Sequence, residues 1–401
     1  MEGRDPLEKR IKRHIIGRTR EFFATTAPGL EGLCLDELKS LPLSIEETTA
    51  ISGGVEFKGH LHECYLANLC LHTTNRILMR VDSFRASNFN RLEKVLSRLP
   101  WELFLFKEFI PKVDVTSRHS RLYHKTAIAE RIRSSLKNRS DQTPFLSATE
   151  KIRSIPQHLF VRIADDRFTI SIDSSGELLH KRGIKKLGAR APMRETLAAA
   201  ALKIAGYDIR EPLIDPMCGS GTFSLEAAMM SRNIPAGWYR NFAFMGWPCF
   251  RSTRWNHLRR EAEKMFRHVD HPLIFASDKD PKMCEALNGK IREYGLTGAI
   301  KTSNRDFFDL SPHALHDRTG LVVINPPYGV RMETRKESRK LFHRIIGKLG
   351  KEYKGWRLAL FVSERRLIDI VPFDLTPLIL NHGGLRLRDQ GMRKILPQTY
   401  S

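Results

Sequence analysis

Two styles of hydrophobic patterning divide the chain. Up to about residue 173, short alternating runs predict half-buried strands, and apolar residues three or four apart predict amphipathic helices between them. Residues 21–25 read as a strand. Residues 29–40 follow as a helix, with Leu30, Leu33, Leu35 and Leu38 on its apolar positions. A strand at 51–57 runs through Gly53 and Gly54, and a helix at 61–71 comes next. Further strands are expected at 77–84 and 108–117, with helices at 89–99 and 126–136. Residues 159–165 and 167–173 close as a hairpin with Asp165 and Asp166 in its turn.

Beyond residue 190 the pattern changes. Short apolar runs near 212–215, 272–277, 299–303, 320–325 and 356–363 alternate with helical segments. That order predicts an α/β domain with a doubly wound sheet. Residues 377–380 and 385–388 would add two last strands as an antiparallel hairpin. The expected organisation is a flexible basic tail at 1–20, α+β domains at 21–60 and 61–173, a Gly- and Lys-rich link at 174–190, and a catalytic domain at 191–401. A chain of 401 residues is too long for one ordinary core, which agrees with that division.

Charge narrows the class of partner. The formal net charge is +22. Residues 1–172 hold 28 basic and 21 acidic side chains, and residues 173–401 hold 39 and 24. Both parts are basic, so a polyanion that touches both is expected. An anionic membrane is the rival partner, but no amphipathic basic helix with an aromatic face stands out, and no run has the length of a membrane helix. The densest basic stretch is 115–140, with seven Lys or Arg and one acid, Glu130. Arg118, Arg121, Lys125 and Arg131 are its candidate RNA contacts, and a merely solvated helix face is the competing explanation. Six scattered cysteines (34, 64, 70, 218, 249 and 284) form no Cys-x-x-Cys pair, and no His cluster has metal spacing. A reducing compartment and no metal are expected, with a cytoplasmic protein as the simplest reading. The charged N-terminus lacks the apolar stretch of a secretory signal.

The chemistry concentrates at the ends of the predicted catalytic strands. Asp215, Pro216, Met217, Cys218, Gly219, Ser220, Gly221 and Thr222 follow the first strand and lead into an apolar helix. Glycines there let backbone approach a ligand, and the helix N-terminus favours an anionic group. No third glycine follows Thr222, so a dinucleotide pyrophosphate fits poorly. An amino-acid-bearing nucleoside such as S-adenosylmethionine fits better, with Asp215 near its ammonium. Asp278 ends the second strand, where an acid accepts ribose hydroxyls. It lies much further on than the ~20 residues of a dinucleotide fold, and the gap with Trp238, Trp247 and Trp255 reads as an insertion. Asp306 and Phe307 follow the third strand, placed for an adenine amino group and ring. Asn325, Pro326, Pro327 and Tyr328 follow the fourth. Asparagine and proline carbonyls there would accept from an exocyclic amine, with the Tyr ring stacking on the base. The bland reading is a Pro-Pro strand stop with a packed tyrosine.

These two motifs, preceded by His180, Lys181, Arg182 and Gly183 and by the 191–200 stretch, resemble the THUMP-containing class I RNA methyltransferases. The chain is most similar to the bacterial 23S ribosomal RNA guanine-N2 methyltransferase family, over nearly its whole length from about residue 20. The resemblance implies ferredoxin-like and THUMP domains ahead of a Rossmann-like, seven-stranded catalytic domain. It implies RNA as partner and S-adenosylmethionine as cofactor, held by the 215–222 loop, with Asp278 on the ribose and Asp306 on adenine. Asn325 to Tyr328 match the catalytic tetrad, and 192–195 match a segment beside the cofactor. Arg118, Arg121, Lys125, Arg131, Lys181 and Arg182 are expected on RNA. The longest bacterial members carry a second methyltransferase unit. With the chain ending at Ser401, a single-unit form is expected. A tRNA substrate, an adenine-N6 reaction and a non-catalytic assembly factor remain as alternatives, and the modified nucleotide and oligomeric state stay open.

Overall fold

The computed structural model describes residues 6–42, 44–45, 47–184, 193–327, 335–362, 371–372, 376–382 and 385–391. Its chain divides into two compact units. The first comprises Met1–Thr26, Glu31–Leu179 and Arg240–Glu261, and the second Ala27–Leu30, His180–Tyr239 and Ala262–Ser401.

The expected basic tail is helical over most of its described residues. Residues 7–16 are helical, with α1 at Leu7–Ile11 continuing through a wider turn to Ile16. Ile11 and Ile15, four residues apart, are both buried. Arg10 donates to Glu102 at 2.7 Å, so this segment is held by packing as well as by charge. Strand β1 (Arg20–Thr26), helix α2 (Glu31–Ser40), strands β2 (Thr48–Ile51) and β3 (Gly54–Gly59), helix α3 (Leu61–Cys70) and strand β4 (Thr74–Arg85) follow. The single strand expected at 51–57 is instead a hairpin, because Gly53 turns with φ +88°. Helix α4 (Phe89–Leu96), strand β5 (Lys112–Arg118), helix α5 (Lys125–Gln142), the single turn α6 (Glu150–Arg153), and strands β6 (His158–Ala164) and β7 (Arg167–Asp173) complete the unit.

The strand order is β2-β3-β1-β4-β7-β6-β5, so the regions read as two domains share one sheet through β1 and β4. Among the described residues of this sheet, only β5 and β6 run parallel, joined through α5 and α6. The β6–β7 turn uses Asp165 and Asp166 with positive φ, the two-residue geometry that matches strand twist. The expected link at 174–190 is firmly packed at its start. Ser174 and Ser175 are fully buried and bond to Asn68 at 2.8 and 2.6 Å.

The second unit contains α7 (Glu195–Ile204), β8 (Leu213–Asp215) and α8 (Thr222–Ser231). Between α8 and the next strand the chain departs from this unit at Arg240. This excursion holds the first part of α9 (Ser252–Lys264). It is the insertion read from sequence, and its aromatic residues pack in the first unit. Phe244 stacks on Tyr65 at 4.4 Å between ring centroids, and Trp255 meets the same ring edge-on. Arg240 donates to the carbonyls of Ser175, Glu177 and Leu178.

Strands β9 (Ile274–Asp278), β10 (Ile300–Asn304), β11 (Leu321–Ile324), β12 (Arg357–Val362), β13 (Thr376–His382) and β14 (Leu385–Gly391) follow, with helices α10 (Pro281–Glu293) and α11 (Arg335–Glu352) between them. Their order is β10-β9-β8-β11-β12-β14-β13, with β14 antiparallel to its neighbours. The expected doubly wound sheet with a final hairpin is therefore present. All four residues of β11 are buried, as a parallel strand covered on both faces requires. The strand order reverses between β8 and β11, the switch point at whose carboxyl ends open α/β sheets place their ligands.

Candidate active site

Strand register brings the candidate residues together. Asp215 pairs with Ala276, which sets Asp278 two residues beyond it, and Asn304 lies beside Asp278. On the other side of β8, Val322 pairs with Ile214, so Asn325 also extends two residues past the level of Asp215. At about 3.3 Å per residue, Asp278 and Asn325 project similarly beyond the end of β8.

The turn after β8 is fixed by many contacts. Cys218 donates its backbone N–H to Ser277, and the Gly219 N–H donates to Asp278 Oδ2 at 2.9 Å. Asp278 Oδ1 also accepts from the Asp280 N–H. Gly219 has φ +52° and open space where a Cβ would point, the kind of cradle a ligand needs. Gly221 has φ +78°, and a Cβ there would overlap Leu287 of α10. The first glycine therefore leaves room for a ligand, and the second permits the turn to pack on its own helix layer.

Asp215 lies beneath this turn, 1% exposed, and accepts from Ser224 Oγ at 2.7 Å. Burial pushes its carboxyl up to about 7, the Ser224 bond opposes that rise, and the charge of Asp278 adds to it. Cys284 on α10 approaches the carbonyls of Ser303 and Asp278 at 3.4 and 3.7 Å. A hydrogen bond from Cys218 lowers the Cys284 thiol to about 7, while burial opposes that fall.

Other expected residues differ in their surroundings. Asp306 caps a short turn by accepting from the Phe308 N–H at 2.9 Å. Phe307 is 1% exposed and sits in the core with Tyr353 and Trp356, so its ring is not available to stack on adenine. Asn325 and Pro327 are half-buried and Pro326 is buried at the β11 edge, while Tyr328 lies outside the described residues.

The basic candidates also divide. Arg118, Arg121, Lys125 and Lys181 are exposed. Arg131 instead lies over the Phe89 ring at 3.7 Å and donates to Glu93 at 2.8 Å, which ties it to α4. Arg182 is 2% exposed and makes a two-point bond to Glu226, Nε to Oε1 at 2.9 Å and Nη2 to Oε2 at 3.0 Å. Its expected role on RNA is corrected by this burial. A guanidinium held by a carboxylate inside the protein is not available to phosphate.

Sequence reading missed Ser224, Glu226, Cys284 and Lys290. A signal was available for two of them. Glu226 is the one charge within the apolar α8, and Lys290 interrupts the buried Cys284, Leu287 and Ile291 stripe of α10. Lys290 is 3% exposed, and its Nζ donates to the Ser220 carbonyl at 3.0 Å.

Residues 182–372 match the family described as RMKL-like, methyltransferase domain, and residues 21–78 match the RlmL ferredoxin-like domain. The second match runs past the boundary expected at residue 60. Slr0064 of Synechocystis sp., inferred to be an RNA methyltransferase, is 28% identical over 92% of this chain and 95% of its own length. Ribosomal RNA large subunit methyltransferase K/L of Syntrophotalea carbinolica is 33% identical over 86% of this chain. The chain spans about half of that relative, 50% of its length. Among solved structures, a Listeria monocytogenes protein described as a predicted N6-adenine-specific DNA methylase is 29% identical, with a TM-score of 0.82 over 97% of this chain and 99% of its own. SMU.472, described as a methyltransferase and crystallised with S-adenosylhomocysteine, is 26% identical, with a TM-score of 0.80 over 94% and 99%.

Proposed function

We propose, from the premise that this chain belongs to the RMKL-like methyltransferase family, that it transfers a methyl group from S-adenosylmethionine to RNA. The acceptor in this reading is the exocyclic N2 of a guanine in large-subunit ribosomal RNA. The observation that carries it is the crevice at the β8–β11 switch point, where the open Gly219 turn, Asp278 and Asn325 converge.

The residues present suit the cofactor. Gly219 gives a close backbone approach, and Asp278 retains acceptor capacity for ribose hydroxyls beyond its two backbone bonds. Asp215 supplies a carboxylate near the ammonium end, acting from beneath the turn. When bound, S-adenosylmethionine supplies an electrophilic methyl group on a good leaving group. The task left to the protein is therefore mainly alignment. Asn325 and the Pro326 carbonyl accept from the amine N–H groups and orient its lone pair. No side chain has to remove a proton beforehand. The consecutive prolines restrict the backbone on either side of this corner.

The ribosomal substrate rests on the K/L relative's name, and that relative is matched over half its length. Arg118, Arg121 and Lys125 supply exposed positive charge for RNA phosphates, which gives affinity more than sequence choice. An adenine-N6 acceptor is the second reading, favoured by the description of the Listeria structure.

Asn325→Ala is expected to abolish methyl transfer while leaving S-adenosylhomocysteine binding largely intact. Wild-type turnover by that variant would remove Asn325 from the mechanism. Mass analysis of nucleosides from methylated RNA distinguishes N2-methylguanosine from N6-methyladenosine and decides the acceptor.

A further inference from the structure

The Arg182–Glu226 pair and the Lys290–Ser220 bond line the same small cavity behind the cofactor turn, together with Ile184 and Leu225. Arg182, Glu195, Ser220, Thr222, Glu226 and Lys290 surround about 20 Å³. Each element brings one part of it. Arg182 belongs to the segment entering the catalytic unit, Glu226 to the middle of α8, and Lys290 to the far end of α10. Ser220 lies between the two glycines of the turn and offers its carbonyl to Lys290.

Burying charges is costly unless each is paired and hydrogen-bonded. Placing four ionisable residues around so small a space therefore needs a return. The geometry supplies one. A carbonyl held at Ser220 fixes the Ser220–Gly221 peptide plane, one residue on from the Gly219 whose N–H is bonded to Asp278. Glu226 lies two residues after Ser224 on the same helix, and Ser224 holds Asp215 from the other side. Helix α8 thus carries both anchors beneath the turn.

We propose that Arg182, Glu226 and Lys290 form a buried clamp that sets the cofactor-binding conformation of the 218–222 turn. They are positioning residues, acting through the backbone of Ser220 and the seating of α8. The basic segment ahead of the catalytic unit would then contribute to cofactor affinity through Arg182, while Lys181 stays on the surface. This rests on the reading of the crevice as a S-adenosylmethionine site.

The test is calorimetric titration of S-adenosylhomocysteine into the full chain as wild type, Glu226→Gln, Lys290→Met, Lys290→Arg and the Glu226→Gln/Lys290→Met double variant. Glu226→Gln keeps volume but turns one of the two acceptor oxygens into a donor, and Lys290→Arg keeps the charge and the donors, so both remain informative if Lys290→Met fails to fold. Glu226→Gln and Lys290→Met are each expected to weaken binding about tenfold, in line with loss of a charged hydrogen bond. The double variant should lose less than the product of the two, because the parts act as a unit. Lys290→Arg should stay within about threefold of wild type. The KM for S-adenosylmethionine should rise with the dissociation constant while kcat changes little. Affinity for an RNA hairpin should be unaltered. Variants with lowered thermal midpoints but wild-type S-adenosylhomocysteine affinity would reduce the cluster to a packing role. Lost RNA affinity with unchanged cofactor affinity would return this segment to phosphate binding. Either result sinks the clamp and leaves the cofactor site standing. Absence of binding by the wild type would overturn the cofactor reading and the clamp with it.

Discussion

Two basic segments look alike in sequence and end in opposite environments. Arg118, Arg121 and Lys125 lie at the end of β5 and the start of α5, and all three are exposed. Arg182 follows a lysine in the basic 180–183 run, yet it is buried against Glu226. A cation beside water is loosely held and available to a polyanion. A cation inside the protein is committed to the acid that accompanies it. Density of Lys and Arg therefore does not by itself identify a nucleic-acid surface. Burial of the pair decides: Arg121 meets Asp166 at 3.9 Å and stays exposed, whereas Arg182 meets Glu226, 44 residues away in the chain, inside the protein.

The largest expected effect that tests this contrast is on stability. Glu226→Ala leaves the Arg182 guanidinium buried without its two-point partner, and such losses cost about 3–5 kcal/mol. Chemical denaturation should reveal a clear drop, and a change under 1 kcal/mol would mean that Arg182 can reach water. The exposed segment should respond in the opposite way. Arg118→Glu/Arg121→Glu/Lys125→Glu should leave the thermal midpoint unchanged and weaken RNA binding. Its salt dependence should become flatter by roughly two in log–log slope, about 0.7 for each lost phosphate contact to single-stranded RNA. Unchanged slopes would make this run a solvated helix face.

The smallest effect concerns pH. Burial pushes the Asp215 carboxyl up to about 7, so it is mostly neutral at pH 6 and mostly ionised at pH 8. Its folded value lies above its unfolded value, so the folded state holds the extra proton between about pH 4 and 7. Stability from this group is complete at low pH and declines as pH rises through that window. Cofactor binding should run the other way, because an ammonium group prefers the anion. S-adenosylhomocysteine affinity should increase from pH 6 to pH 8 in the wild type and stay flat in Asp215→Asn. Parallel profiles for the two proteins would remove the ammonium from Asp215.

How much was legible in advance differs with the range of the interaction. The turn after β8 could be read because its constraints are local. Gly219 and Gly221 both adopt positive φ, and β8 and α8 adjoin them in the chain. The β6–β7 hairpin was legible for the same reason, with Asp165 and Asp166 tolerating positive φ. The hairpin at Gly53 was misread as one strand, since alternation continues across the turn and does not reveal a reversal. Phe307 was misplaced because an aromatic beside an acid at a strand end suits a ligand wall or a core equally well. The packing of Tyr353 and Trp356 around it decided for the core. The 1–20 tail was misread because its charges hid the pair of apolar residues, Ile11 and Ile15, that anchor it.

The sequence alone determined the layered α/β architecture and the chain order of Asp215, Asp278 and Asn325 at the strand ends, because local geometry and strand polarity follow from neighbouring residues. Only the tertiary structure decided which cations face water, that residues 240–261 pack with the first unit, and that Lys290 holds the Ser220 carbonyl. Those outcomes depend on desolvation and on partners far apart in the chain, and neither is set by local spacing.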